Sequence, residues 1–322
     1  MNRRLTILYV IVSLLCFSCG KSNKRSDFVF PENDVIPLDQ AEELSPEAIS
    51  DIASNITSPV EIANLLLMMD VPFSTDFLAS SLEANEKSTL FDKALSLGIL
   101  GADLGYLNIY EMTGTSINIL SSISKLASDL NVSQFFDFET IKRLSLNRSN
   151  LDSLLYLSVD SYTQIDDFLR DNGRGNLSSL IIIGMWLEGQ YFATQVVGQY
   201  PNKQLRDRIG EQKIILNDLI LLATPYKSLN VDYGILCGYL NDIKSAYDDV
   251  QITYTLGDPI REERNGGLVV TQTETSEVEM TDEQLENIIK ITKSVRDKLI
   301  SNNRYEKDNT FIYNSSFPYD VC

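Results

Sequence analysis

Residues 180–200 constrain the fold most strongly, because this segment is apolar on nearly every side of a helix. It reads LIIIGMWLEGQYFATQVVGQY, and Glu188 is the one charged residue in it. A helix that is hydrophobic all round has to be enclosed by other elements. We therefore predict that 180–200 forms the most buried helix of the protein.

The flanking sequence carries amphipathic helices. Apolar residues recur at intervals of three and four through 151–169, 205–223 and 285–299, which is the period of a helix with one buried face. Asp171-Asn172-Gly173 is expected to end the first of these segments. Thr281 and Gln284, ahead of the last of them, have the spacing of a capping box. The patterns predict a mainly all-α fold, either a multi-helix bundle or stacked antiparallel helix pairs.

A short stretch near 251–273 departs from the helical period. Gln251–Leu256 and Leu268–Thr273 alternate with β-branched residues, and a charged stretch, 257–267, separates them. They indicate a small β-hairpin with a long charged loop. In the alternative interpretation, 247–256 extends the preceding helix and the loop has no regular structure. We expect one helical domain over 46–322, with the hairpin or charged loop at 251–280 and an irregular tail at 303–322.

The composition excludes several kinds of chemistry. The chain has no histidine, which rules out Ser-His-Asp and Cys-His catalysis and histidine-ligated zinc or haem. It carries 45 acidic and 27 basic residues, a net charge of −18, and such a field repels nucleic acid. Cysteine spacing, calcium-loop patterns and glycine-rich phosphate loops give no signal. We predict no cofactor, no metal and no nucleic-acid partner.

The N-terminus has the organisation of an export signal. A positive region at 2–4 precedes an apolar run at 5–17, which is shorter than the roughly 20 residues that a membrane-spanning helix needs. The run ends in Leu15-Cys16-Phe17-Ser18-Cys19-Gly20, which resembles the lipobox of bacterial lipoproteins. The resemblance implies cleavage after Ser18, which removes residues 1–18 as a signal peptide, and lipidation of Cys19. The alternative is an ordinary secretory signal in which Cys19 is incidental.

The residues after Cys19 suit a tether. Prolines and mixed charges without a sustained period make 19–45 a flexible lipidated linker. Surface-exported lipoproteins of the Bacteroidetes type carry an acidic cluster here, whereas this chain has Lys21, Lys24 and Arg25. The resemblance therefore favours an outer-membrane protein that faces the periplasm, with the cell surface as the alternative. The domain also resembles, in general style, the all-helical lipoproteins of that group.

Glu188 is the strongest single candidate for a functional side chain. It lies in the apolar segment close to Trp186 and Tyr191, where a carboxylate loses its water. Such a group either has a raised pKa and acts as an acid or base, or is paired. The paired interpretation gives it Arg170, Arg206 or a tyrosine hydroxyl as its partner and a role in fixing helix register.

Aromatic residues supply a second candidate site. The chain has fifteen tyrosines, and Tyr106 and Tyr110 stand one helical turn apart. Together with Trp186 and Tyr191 they are candidates for lining a cleft that binds a sugar or a peptide. The alternative is a helical core that is simply rich in tyrosine.

Small and sulfur-containing residues raise two further questions. Gly98, Gly101 and Gly105 share one face of a predicted helix near 86–112, which favours close packing of helices over close approach of a ligand. Cys237 and Cys322 are the cysteines that follow Cys19. They either form a disulfide in an oxidising compartment, or Cys237 stays free and buried.

These patterns favour a non-enzymatic binding or assembly module, held to the membrane by its lipid. Its expected partners are envelope proteins or a glycan or peptide ligand. One alternative is a carboxylate-based envelope hydrolase with Glu188 as acid or base. Another is a surface nutrient-binding lipoprotein with an aromatic cleft.

Overall fold

The computed structural model describes residues 65–79, 87–139, 141, 151–257, 260–264, 267–271 and 274–301. The predicted signal peptide, the tether and the tail 303–322 lie outside these ranges, and so do Cys19 and Cys322.

Helices dominate the described residues, which confirms the mainly all-α prediction. The helices are α1 (Leu90–Ile109), α2 (Thr113–Asp129), α3 (Leu151–Asp171), α4 (Gly175–Gln199), α5 (Lys203–Ala223), α6 (Val231–Ser245) and α7 (Asp282–Ile300). Between α6 and α7 stand the strands β1 (Gln251–Leu256), β2 (Ile260–Arg264), β3 (Gly267–Thr271) and β4 (Glu274–Glu279).

The most extensive helix contact joins α1 and α4, and glycines make it possible. A Cβ atom on Gly98 would stand 2.0 Å from the carbonyl oxygen of Ile181, and one on Gly184 would stand 2.3 Å from that of Leu95. The two backbones therefore touch directly, which confirms close helix packing for Gly98. Gly101 instead makes room for the Tyr162 ring of α3, whose hydroxyl would lie 2.1 Å from a Cβ there.

The ranking of burial differs from the prediction. In α1, 17 of 20 residues are buried, against 18 of 25 in α4, so the expectation that 180–200 is the most buried helix is wrong. The reason is that α4 is the longer helix and its two ends, 175–176 and 198–199, are not buried. Among the described residues α4 is the one helix long and apolar enough to cross a membrane, but 83% of its most apolar window is buried inside the domain.

The predicted helix ends are confirmed. Gly173 has a φ of +67° just after α3, the left-handed conformation that commonly ends a helix. At the start of α7 the Thr281 hydroxyl accepts from the Gln284 amide at 3.2 Å, and the Gln284 side chain accepts from the Thr281 amide at 2.6 Å. The predicted apolar stripe of α7 is buried, and its members are Leu285, Ile288, Thr292, Val295 and Leu299.

The hairpin is confirmed but is longer than predicted. β1 pairs antiparallel with β4, from Gln251 opposite Glu279 to Leu256 opposite Glu274. β2 pairs with β3, from Ile260 opposite Thr271 to Arg264 opposite Gly267. Most of the charged stretch is therefore strand, and 274–279 takes the place expected of 268–273. Because α6 ends at Ser245, the alternative of a helical extension is wrong. We call β1 to β4 the β-arm.

A segment before α1 packs across the helices, and we call residues 65–79 the strap. Its helical turn at 65–68 ends near Asp70, which has a φ of +55°. The chain then runs extended to a 3-10 turn at Thr75–Phe77. Leu66, Val71 and Phe77 are buried in the same core as α1 and α4. The strap therefore belongs to the domain core.

Candidate functional site

Glu188 lies on the side of α4 that faces α7, where it is paired with Arg296. The two helices run antiparallel, since Glu188 meets Arg296 at one end and Gly198 approaches Ile289 at the other. Arg296 donates through Nε to Oε2 at 2.9 Å and through Nη2 to Oε1 at 2.5 Å. Glu188 is 0% exposed and Arg296 is 6% exposed. A buried ion pair with two parallel hydrogen bonds has a strongly fixed geometry.

The paired interpretation of Glu188 is right in kind, but the partners predicted for it are wrong. Arg170 binds Asp166 at 2.8 Å within α3. Arg206 binds Asp282 at 2.6 Å, next to the start of α7. Both arginines are thus engaged elsewhere, and the cation that neutralises Glu188 comes from the last helix.

Two further contacts hold the Arg296 guanidinium. Its Cζ lies 4.1 Å from the centroid of the Tyr191 ring, within the range of a cation–π interaction. Its Nη2 also donates to the carbonyl oxygen of Phe77 in the strap at 3.3 Å. Tyr191, predicted as a ligand-binding residue, therefore contacts a side chain of its own protein.

Asp103 of α1 also belongs to this buried site, as a neighbour of Glu188. It is 0% exposed, and its Oδ2 accepts from the Ala79 amide of the strap at 3.0 Å. Burial first, and then the neighbouring Glu188 charge, raise the pKa of Asp103 well above its ordinary value. Burial also raises the pKa of Glu188, while Arg296 acts in the opposite direction.

Asp103 and Glu188 are neighbouring carboxyls, and each affects the pKa of the other. Asp103 Oδ1 has no hydrogen-bond partner. Because Arg296 is paired with Glu188, the neutral form is favoured at Asp103 rather than at Glu188. We call Asp103, Glu188, Tyr191 and Arg296 the Glu188 cluster. With Asp103 in its neutral form the cluster contains one anion and one cation.

The predicted aromatic pair Tyr106 and Tyr110 lies beside the cluster, beneath the strap. The Tyr106 hydroxyl accepts from the Ser74 amide at 3.0 Å and donates to the Ser74 carbonyl at 3.3 Å. The Tyr110 hydroxyl donates to the carbonyl of Val71 at 2.8 Å. Phe73 stacks on Tyr106 with 5.5 Å between ring centroids. The chain itself therefore occupies the surface that an aromatic cleft would offer.

Trp186 does not belong to this group. Its Nε1 donates to Oε1 of Gln212 on α5 at 2.8 Å, and its ring is buried. The structure thus brings Glu188, Tyr191, Tyr106 and Tyr110 to one side of the core and directs Trp186 towards α5.

Sequence reasoning missed Arg296 and Asp103 as members of the site. Each is a charged residue on a buried helix face: Arg296 is one turn after Thr292 in α7, and Asp103 lies inside α1. A charge on the buried face of a helix is a signal that an opposite charge or a proton must compensate it. That signal identifies the residues but does not say which of them meet.

Two alternatives were predicted for Cys237, a free buried thiol and a disulfide with Cys322. Cys237 is buried in α6, and burial raises the pKa of its thiol. No disulfide joins it to another described residue. Its pairing with Cys322, which lies outside the described ranges, stays a prediction.

Neither a metal site among the described residues nor a match to a known protein assigns a role to this site. Within the described ranges no group of three or more Asp, Glu or Cys side chains stands close enough to hold a metal ion. The chain matches no protein-family model, no curated protein and no solved structure. No relative therefore supplies a role for the Glu188 cluster.

Proposed function

We propose that this protein is a lipid-anchored, periplasm-facing envelope protein whose helical domain is a non-enzymatic binding or assembly module. The observation that carries the non-enzymatic part is the burial of the Glu188–Arg296 pair. An acid or base must come within hydrogen-bonding distance of a substrate proton. Glu188 has no exposed surface and gives both of its oxygens to one guanidinium, so it is placed to hold helices together.

The anchor is inferred from the lipobox resemblance at Cys19 and from charge. A protein of net charge −18 is repelled by anionic headgroups. Membrane attachment therefore needs an apolar contribution that outweighs this repulsion. Two or three acyl chains on one cysteine provide firm attachment, whereas a single chain binds only weakly.

The strap supports the assembly role because it is the described segment nearest to Cys19 in the sequence. Side chains from two helices bind its backbone: Tyr106, Tyr110 and Asp103 from α1, and Arg296 from α7. These hydrogen bonds involve main-chain atoms of the strap. They therefore fix the path of its backbone as well as the positions of its side chains. The described domain is thus tied to its N-terminal segment by buried hydrogen bonds, as suits a module held at the membrane surface.

No specific observation favours either alternative function, the hydrolase or the nutrient-binding protein. A carboxylate-based hydrolase would need an open Glu188, which Arg296 closes. An aromatic cleft would need open faces on Tyr106 and Tyr110, which the strap covers.

The anchor is tested with two cysteine variants of the tagged precursor, expressed in a diderm bacterium and followed by membrane fractionation. We expect the wild type to stay with the outer membrane through high-salt and carbonate washes, and Cys19→Ser to become soluble or remain unprocessed. Cys16→Ser is the matched control, since it changes a neighbouring cysteine in the signal, and it should behave as the wild type. A Cys19→Ser protein that is processed and retained in the membrane contradicts the proposal.

The module is tested by crosslinking in intact cells. Wild type and a folded Glu188→Gln variant should give the same crosslinked envelope partners, because Glu188 serves the core alone. Loss of a measurable turnover in Glu188→Gln, with its fold intact by circular dichroism, would instead support the hydrolase.

A further inference from the structure

The β-arm is fixed to the domain at both ends by basic side chains of α5. Lys213 Nζ donates to the carbonyl oxygens of Asp248 at 3.0 Å and Val250 at 2.9 Å, just before β1. Arg206 donates to the Met280 carbonyl and binds the Asp282 carboxylate, just after β4. One helix thus holds the entry and the exit of the arm, so the base of the arm has a defined position.

In the ribbon formed by β1 and β4, one face contacts α5 and the other faces solvent. Ile252 and Val278 are cross-strand partners, and Val278 packs over Gly210 of α5. Ser276, two residues earlier on the same face, hydrogen-bonds Glu211. Because side chains alternate along a strand, the residues between them point away from α5. Thr253, Glu277 and Glu279 on that outer face are exposed.

The arm presents strand edges that have no neighbour among the described residues. β1 pairs with β4 and β2 with β3, in two separate two-stranded ribbons. Among the described residues, the outer edge of β4 therefore carries main-chain N–H and C=O groups without a ladder partner. A two-stranded ribbon is only marginally stable in water. Proteins usually protect such edges with lysine or proline, and the four strands contain neither.

The charge of the strands favours one class of occupant. They carry five acidic residues and two basic ones; the acidic residues are Glu262, Glu263, Glu274, Glu277 and Glu279. Like charges on neighbouring strands are unfavourable, so a second copy of the arm would be repelled along β4. A basic strand beside β4 would bring its side chains next to Glu277 and Glu279.

We propose that the β-arm is a docking site at which an extended, basic segment of another envelope protein adds as a strand to the edge of β4. Strand addition uses main-chain hydrogen bonds for affinity and alternate side chains for specificity. This inference deepens the proposed binding function and rests on it. It gives the module a binding surface that does not include the Glu188 cluster.

Fluorescence anisotropy with the full mature chain, made soluble by Cys19→Ser, tests the docking. The probe is a labelled nonapeptide that alternates lysine with valine or threonine. One comparison peptide has the same charge but two central prolines, and another has glutamate in place of lysine. We expect the lysine peptide to bind about tenfold or more tightly than either comparison peptide, because strand pairing and charge are both required. Equal binding of the proline peptide would overturn the proposal, since charge alone would then suffice.

Charge-reversal variants locate the site. Glu277→Lys with Glu279→Lys should weaken the lysine peptide about tenfold and strengthen the glutamate peptide. Asp167→Lys with Asp171→Lys, at exposed positions of α3, makes the same change in net charge elsewhere and should leave the preference intact. Both pairs are exposed, so circular dichroism should show an unchanged fold. Equal loss in the two variants contradicts the docking site.

Hydrogen exchange identifies the edge and the occupant. Bound lysine peptide should slow amide exchange within 274–279 and leave α2 unchanged. Protection confined to the helices, or a peptide-independent dimer that already protects β4, would overturn the proposal. If these tests fail while crosslinked partners are still recovered in cells, the docking site is wrong and the binding function stands.

Discussion

Arg296 reaches Glu188 across 108 residues of sequence and binds it through two hydrogen bonds of 2.9 and 2.5 Å in the core. Around this pair, the Tyr191 ring contacts the guanidinium, and Asp103 adds a buried carboxyl with a raised pKa. Phe77 and Ala79 of the strap bind the cluster through their main chains. The Glu188 cluster thus joins α4, α7, α1 and the strap.

The raised pKa of Asp103 predicts a pH-dependent contribution to stability. A carboxyl whose pKa is raised on folding keeps its proton in the folded state after the unfolded chain has lost it. Its stabilising contribution is therefore complete below the unfolded pKa, near 4, and is lost as pH rises towards the raised folded pKa. Within that window the free energy of unfolding of wild type relative to Asp103→Asn should fall by about 1.4 kcal/mol per pH unit.

Urea unfolding of wild type and Asp103→Asn from pH 4 to pH 9 measures this difference. Asparagine can accept from Ala79 and is uncharged, as the neutral acid is, so the variant should fold well and lack this titration. Carboxylates outside the Glu188 cluster titrate equally in both proteins and cancel, so the difference reports the coupled pair Asp103 and Glu188. Parallel stability curves over the whole range would show that Asp103 is ionised in the core.

The strap contacts predict a local effect for Tyr110→Phe. Removing the hydroxyl leaves the buried Val71 carbonyl without its donor, which should cost about 1–3 kcal/mol. Amide exchange should become faster in 71–79 than in α5. Tyr200→Phe, at the exposed end of α4, is the control and should change neither quantity. Unchanged exchange in the strap would show that the hydroxyl does not hold it.

The glycine contact between α1 and α4 predicts opposite effects for two substitutions to alanine. A methyl group on Gly98 would meet the Ile181 carbonyl at 2.0 Å, and forcing the helices apart should cost about 1–3 kcal/mol or more. Gly114 in α2 has no atom within 4 Å of the same position, so Gly114→Ala should be stabilising by up to about 1 kcal/mol. Thermal unfolding compares the two. A neutral Gly98→Ala would contradict direct backbone contact.

The sequence predicts local structure well where one residue decides it. Gly173 and the Thr281–Gln284 box end and begin helices through contacts within a few residues. The strand pairing of the β-arm is harder to predict, because both Leu268–Thr273 and Glu274–Glu279 suit a strand. The pairing is decided by register across the turn, and no residue in β1 specifies it.

The candidate site could be predicted only in part, for a related reason. Glu188 stands out because a charge in an apolar helix requires compensation. From the sequence alone, three arginines meet that requirement equally well: Arg170, Arg206 and Arg296. Only the packing of the helices distinguishes them. Tyr106 and Tyr110 suggest an open aromatic surface, whereas the strap that covers them begins some forty residues earlier in the chain, with no marker that it would return.

A double-mutant cycle at Glu188 and Arg296 tests the central claim most directly. Each single change, Glu188→Gln or Arg296→Met, leaves one buried charge uncompensated and should lower the free energy of unfolding by about 3–5 kcal/mol. The double variant removes both charges and should lose clearly less than the sum, with a coupling of at least about 1 kcal/mol. Additive losses, or a Glu188→Gln protein as stable as wild type, would show that the pair does not hold the core and would reopen Glu188 as a functional acid.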